Sequence, residues 1–199
     1  IDVIYNPLPN HLHAEWTIKA LRAGKHVLCE KPIALTLAEM DAMIAASQET
    51  GKVLAEAFMY RHHPQTMKIK EMVDGGAIGK LQLIKGTFTY LRTRQGNFRS
   101  VKEMGGGSIW DVGCYPISYA RMVAGAEATE VFGWQVSGQD GSDMSFFGEM
   151  RFANGVHAQF DSGFQSQLRS FMEIVGSEAV LNSPVPFKPG LKSQFILRR

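Results

Sequence analysis

The sequence predicts an α/β chain: the second half of a doubly wound parallel sheet, followed by an α+β domain whose sheet is mainly antiparallel. Three observations carry this. Residues 1–57 alternate short apolar, β-branched runs with longer amphipathic ones across brief turns, the pattern of parallel strands joined by right-handed crossovers. Beyond Ala57, strand-like runs follow one another directly, as antiparallel neighbours do. The stretch His26-Val27-Leu28-Cys29-Glu30-Lys31-Pro32 reads as a buried strand that ends abruptly in an acid, a base and a proline. Ligands collect at the carboxyl ends of strands in open α/β sheets, so a charged pair there is a candidate site. By itself the tripeptide is equally compatible with a solvated strand end, because three-residue motifs recur by chance.

The elements follow in order. Ile1 to Tyr5 reads as a strand, and Asn6-Pro7-Leu8-Pro9-Asn10 as a turn whose Asn10 is a helix N-cap candidate. Ala14, Ile18 and Leu21 recur at helical spacing up to Gly24. After the Glu-Lys-Pro strand, Thr36 and Glu39 form a capping box for a helix with the stripe Leu37, Met40, Met43, Ile44, ending at Gly51. Lys52 to Ala57 is a third strand. Pro32 restricts Lys31 to extended conformations and makes a cis Lys31-Pro32 bond possible. Past the boundary near Ala57, a helix from Pro64 to about Val73 stops at Gly75-Gly76, and Leu81 to Leu91 is a long strand. Gly107 to Ala124 reads as one helix. Val131 to Val136, Met144 to Phe152, Gly155 to Phe164 and Phe171 to Val175 read as strands, and Pro184 to Gly190 as a loop. The predicted domains are therefore residues 1–57 and 58–199.

Composition excludes several classes. The 199 residues are 45% hydrophobic and 20% charged, ordinary for a soluble globular protein. Basic residues outnumber acidic ones by only two, 21 against 19, without a basic run, so neither nucleic acid nor a membrane surface is implied as partner. Cys29 and Cys114 stand far apart as free thiols, which argues for a reducing, cytoplasmic setting. There is neither a signal peptide nor an apolar run of about 18 residues. The chain opens without methionine, already inside a strand, and a beginning is expected to lie outside these residues. His11, His13, His62 and His63 show no metal-ligand spacing, so no metal is expected. Aromatic positions Phe146, Phe152, Phe160 and Phe164 suggest a sheet face that a partner subunit would cover, making a homo-oligomer.

Four motifs carry a resemblance: Asn6-Pro7-Leu8-Pro9-Asn10-His11-Leu12-His13; Ala23-Gly24-Lys25-His26-Val27-Leu28-Cys29-Glu30-Lys31-Pro32; Glu56-Ala57-Phe58-Met59-Tyr60-Arg61; and Gly105-Gly106-Gly107-Ser108 leading into Asp111-Val112-Gly113-Cys114-Tyr115-Pro116. In this order and spacing they resemble the glucose-fructose oxidoreductase, inositol dehydrogenase and MocA family. The resemblance implies a Rossmann half-domain, NAD or NADP as cofactor, and a sugar, polyol or cyclic diol as substrate. It places Lys31 in catalysis beside the nicotinamide. Pro9, Asn10, His13, Glu30, Lys31 and Arg61 then fall on the cofactor side. Tyr115 stands where many members carry histidine, four residues after Asp111, as in the dihydrodiol dehydrogenase branch. The Gly-x-Gly-x-x-Gly phosphate loop of the first Rossmann half does not occur in these residues, and Gly105-Gly106-Gly107 is read as a loop.

Elementary chemistry agrees with this. Reducing a carbonyl leaves an alkoxide that needs a cation and a proton donor, and the reverse needs a base. Lys31 and Tyr115 can supply both. Asp111 and Tyr115, four apart on a helix, share a face, and a lysine near the tyrosine would favour its phenolate. The bland alternatives are a satisfied buried carboxylate for Asp111, a packed core ring for Tyr115, and a non-catalytic family member that keeps the fold for assembly or small-molecule binding.

Overall fold

The structure, a computed structural model, describes residues 1–93 and 98–199. Its first part is a three-stranded parallel sheet in the order β1-β2-β3, made of Val3–Asn6, His26–Cys29 and Leu54–Glu56. Helices α1 (His13–Arg22) and α2 (Leu37–Thr50) are the crossovers. Period 2 puts Val27 and Cys29 on one face of β2, where they share a core with Ala14, Leu21, Met43 and Ala46, while Leu28 on the other face stays partly exposed. The α2 stripe differs from the sequence reading: Leu37 and Ile44 are exposed, and Met43 with Ala46 makes the buried contact. Thr36 caps α2 and Glu39 returns the bond, as the capping box requires. Asn10 caps nothing. It opens a 3-10 turn, Asn10–Leu12, that runs straight into α1.

The second part is a seven-stranded sheet in the order β10-β9-β8-β4-β7-β6-β5. Its strands are β4 (Leu81–Thr89), β5 (Ala128–Ser137), β6 (Asp143–Phe152), β7 (His157–Gly163), β8 (Arg169–Gly176), β9 (Val180–Ser183) and β10 (Ile196–Arg198). All pairings are antiparallel except β4 with β7, which is parallel because β4 is inserted between β7 and β8. The two last strands, of four and three residues, are too short to show period 2 in the sequence. Helices α3 (Pro64–Asp74) and α4 (Cys114–Ala124) contribute Ile69, Val73, Tyr119 and Val123 to a core with the sheet's inner face.

Two expectations change here. Phe152, Phe160 and Phe164 are buried in that core and Phe146 packs against it, so they are not the exposed face. The outer face instead displays Phe132, Trp134, Phe147 and Phe171. The predicted helix Gly107 to Ala124 is interrupted: Ile109–Gly113 forms a π-helical turn, and α4 begins only at Cys114. Pro116 is the physical reason. It has no N–H for the carbonyl four residues back and its ring crowds that carbonyl, so a regular α-helix cannot run through this segment.

An aromatic nest joins α4 to the sheet. The Tyr115 ring lies 5.4 Å from both Phe58 and Phe88 and 5.5 Å from Phe187, centroid to centroid. Phe187 is fully buried although it belongs to the loop after β9, so it pins that loop against the nest. Phe187→Ala should cost about 3–5 kcal/mol, the usual range for removing a buried ring. Urea unfolding checks this; a loss near zero would mean the loop is held by its backbone alone.

Candidate active site

The site grows from the end of β2. After Cys29 the backbone N–H of Glu30 donates to the Asn6 carbonyl, 3.0 Å, continuing the parallel ladder one residue further. Lys31-Pro32 is a cis peptide bond. From there the Lys31 side chain, largely buried, crosses to the π-helical turn. Its ammonium donates to the Asp111 carbonyl oxygen and lies 3.3 Å from Asp111 Oδ1. At π spacing the natural partner of the Asp111 carbonyl is residue 116, a proline without an N–H. The turn therefore presents that oxygen to the lysine.

Asp111 is the hub. Besides Lys31, Arg99 Nε donates to Oδ1 at 3.0 Å and the Tyr90 hydroxyl to Oδ2 at 2.7 Å. Burial alone would push this carboxyl up. The charges of Lys31 and Arg99 and the hydrogen bonds from Tyr90 and Arg99 outweigh it and hold the group below its usual range. Tyr115 completes the cluster differently from the sequence expectation. The Lys31 ammonium sits over its ring, 5.0 Å from the centroid. Burial, followed by the nearby Cys114, Glu30 and Asp111, pushes the Tyr115 hydroxyl well above its ordinary value. The phenolate is thus disfavoured, and Tyr115 is a neutral phenol at neutral pH.

Glu30, Lys31, Asp111 and Tyr115 all line one cleft of about 1090 Å³, together with Tyr90 and Arg99. Glu30 accepts from the Tyr5 hydroxyl at 2.5 Å and from the Lys31 N–H at 3.2 Å, which orients its carboxylate. The other predicted positions do not line this cleft. The Pro9 carbonyl accepts from Leu12 N–H at 2.9 Å, and Asn10 Nδ2 donates to the Gly105 carbonyl at 2.9 Å, tying the first turn to the glycine loop. His13 is fully buried, with its ring nitrogens 2.8 Å from the Pro32 carbonyl and 2.7 Å from the Leu8 carbonyl, so its imidazole has no surface open to a ligand. Arg61 is exposed on the turn Met59–His62.

Sequence reasoning missed Tyr90 and Arg99. Both lie between β4 and the π turn, and nothing in their local spacing marks them; only the fold brings them to Asp111. Among the described residues, no group of three or more His, Cys, Asp and Glu side chains is placed to hold a metal ion. No helix of the described residues is long and apolar enough to cross a membrane.

Because the folded-state pKa of Asp111 is depressed, its stabilisation is present above the unfolded value of about 3.9 and lost as pH falls through the folded value. Asp111→Asn should therefore lower unfolding free energy by roughly 2 kcal/mol at pH 7. The gap to wild type should narrow as pH falls below about 4 and the wild-type carboxylate begins to protonate. Urea titrations at several pH values measure this, and a gap independent of pH would show that the ionised form contributes nothing.

Residues 1–58 match the oxidoreductase family with an NAD-binding Rossmann fold, and residues 66–182 match the GFO/IDH/MocA C-terminal domain. A dTDP-3,4-didehydro-2,6-dideoxy-alpha-D-glucose 3-reductase of Actinomadura kijaniata is 35% identical over 197 residues, covering 95% of this chain and 59% of that protein. A trans-1,2-dihydrobenzene-1,2-diol dehydrogenase of Xenopus laevis is 31% identical over 187 residues, 92% of this chain and 56% of its own length. Among solved structures, a 3-ketoreductase from Actinomadura kijaniata in complex with NADP and TDP-benzene superposes with a TM-score of 0.92 at 34% identity, over 99% of this chain and 61% of that one. The chain thus spans less than two thirds of the length of these relatives. With both halves matched in order and the fold shared, this chain belongs to the Gfo/Idh/MocA family of oxidoreductases.

Proposed function

We propose that the complete protein is an NAD(P)-dependent oxidoreductase that interconverts a secondary alcohol and its ketone in a sugar, polyol or cyclic diol. The observation that carries this reading is the Lys31 ammonium, fixed by Asp111 and lying against the neutral Tyr115 in one cleft at the end of a parallel strand. The nicotinamide, when bound, supplies or accepts the hydride. An acid and an ammonium at the carboxyl end of a parallel strand, facing a cleft of this size, suit the cofactor's nicotinamide end, with Glu30 toward the ribose hydroxyls. Lys31 stabilises the developing alkoxide by its charge. Tyr115, kept protonated by burial, serves as the proton donor in reduction and takes the proton back in oxidation. Asp111 holds the lysine, and Tyr90 and Arg99 hold Asp111. The sugar and diol substrates of the relatives support the substrate class.

In this reading residues 1–57 are the second half of the dinucleotide domain and 58–199 the substrate and assembly domain. The outer sheet face, where Trp134 is 69% exposed beside Phe132 and Phe147, serves as a homo-oligomer interface. The free thiols of Cys29 and Cys114 fit a cytoplasmic setting.

Nicotinamide absorbance in the complete protein with a panel of sugars and diols tests the function. Lys31→Ala should lower kcat on the order of a hundredfold or more while dinucleotide affinity stays within a few-fold. Tyr115→Phe should also depress rate more than stability, and the double variant should fall well short of the product of the two losses. Turnover absent with every substrate would favour a non-catalytic member instead. Trp134→Glu should shift the protein toward monomer in sedimentation; an unchanged assembly would place the interface elsewhere.

A further inference from the structure

A second buried carboxylate stands behind the π turn. Asp143, the first residue of β6, is only 5% exposed. Its Oδ2 accepts from the Ser108 hydroxyl at 2.5 Å and from the Ile109 backbone N–H at 2.8 Å. Since Ser108 donates to Asp143, the 2.9 Å contact between the Ser108 and Ser162 hydroxyls has Ser162 of β7 as donor. Asp143 and Ser162 from two strands and Ser108 just before the turn therefore form a chain of three side chains that ends on the first N–H of the turn that contains Asp111.

The sequence leaves room for that approach. Gly107 has φ 122°, and a Cβ there would lie 2.1 Å from Asp143 Oδ1. At Gly113, the last residue of the turn, a Cβ would come within 2.9 Å of Ser162 Oγ. Polar groups of β6 and β7 thus press on the approach to the turn at Gly107 and on its last residue, Gly113, so a side chain at either glycine would collide with them. The turn's pitch is what leaves the Asp111 carbonyl for Lys31.

We propose that Asp143, through Ser108 and the Ile109 amide, is a positioning residue that holds the π turn so that Asp111 can aim Lys31. It does not line the cleft of Lys31 and Tyr115. This rests on the reading of Lys31 as the alkoxide-stabilising group.

A thermodynamic cycle in the complete protein tests it. Asp143→Ala removes both acceptor oxygens and should lower kcat on the order of ten- to a hundredfold with substrate KM within a few-fold, as lost supporting hydrogen bonds do at other sites. Asp143→Asn keeps one oxygen acceptor and should restore most of that rate. In a Lys31→Ala background, Asp143→Ala should change kcat by less than about twofold, because the group it positions is gone. Equal fold-losses in both backgrounds would show a general structural role and overturn the proposal. Should Asp143→Ala fail to fold, Ser108→Ala takes its place in the same cycle, with a smaller expected loss and the same criterion. A readout independent of turnover is the NMR signal of 13C-methylated Lys31: it should move toward that of exposed lysines in the Asp143→Ala or Ser108→Ala protein, and an unmoved signal overturns the proposal. A wild type without turnover, or a fully active Lys31→Ala, would sink the functional reading instead, leaving the NMR result to decide the positioning role.

Discussion

The contact between Lys31 and Asp111 is the constraint on which the site depends. Its partners are separated by 80 positions in the sequence, one just past the end of β2 in the first sheet and the other in the π-helical turn of the second part, so it exists only when both parts have folded and docked. Both side chains are largely buried, at 12% and 13% exposure. Two buried charges are costly to desolvate, and such a pair is sustained only when its remaining hydrogen-bonding capacity is met. Here Arg99 and Tyr90 meet it on the acid's side, and the Asp111 carbonyl meets it on the lysine's. A buried ion pair is weak evidence for stability, but here each charge is held by partners on more than one side. In a cleft that must stabilise a transient alkoxide, fixed geometry is what matters, because a preoriented charge needs no reorganisation when the reaction occurs.

The burial that favours fixed geometry also sets the protonation states. The same apolar walls that raise the Tyr115 hydroxyl, chiefly Phe58, Phe88 and Phe187, surround its ring at 5.4 to 5.5 Å. A lysine over the ring face rather than beside the oxygen does little to reverse that. Two groups close in sequence and space are therefore shifted in opposite directions: cations and donors on its oxygens lower the Asp111 carboxyl, and burial raises the Tyr115 hydroxyl. Acid and base roles separate in this way when environments diverge.

Much of this was legible in the sequence, and the reasons differ by element. The capping box at Thr36 and the strand ending in Glu30-Lys31-Pro32 are local signals, set within a few residues, and local chemistry decides them. The i, i+4 pairing of Asp111 and Tyr115 put them in one cleft, although the helix between them is not the regular one that the spacing suggests. Pro116 is the local signal in the sequence that argues against that helix. Tyr90, Arg99 and Asp143 were not legible, because their partners lie 12 to 35 positions away and only tertiary packing selects them. The exposed face was misplaced for a related reason: Phe146 and Phe147 are neighbours pointing to opposite sides, and the sequence does not say which side the helices cover.

His13 shows how a residue can serve a site without entering it. The resemblance sets it on the cofactor side, yet its ring lies wholly inside, bridging the Leu8 and Pro32 carbonyls. Asn6 adds a second tie on the same helix, with Nδ2 donating to Thr17 Oγ1 at 3.1 Å and to the His13 carbonyl at 3.3 Å. The turn after β1 and the segment after Lys31 are thereby fastened to each other through α1. A lysine directed from the end of a strand is only as well placed as the peptide that follows it, and here that peptide is held from behind by an imidazole and from the front by Asp111. The backbone between those two anchors is two residues long, Lys31 and Pro32, the second with its φ fixed by its ring. Little freedom remains for the ammonium to leave the cleft without breaking one anchor or the other.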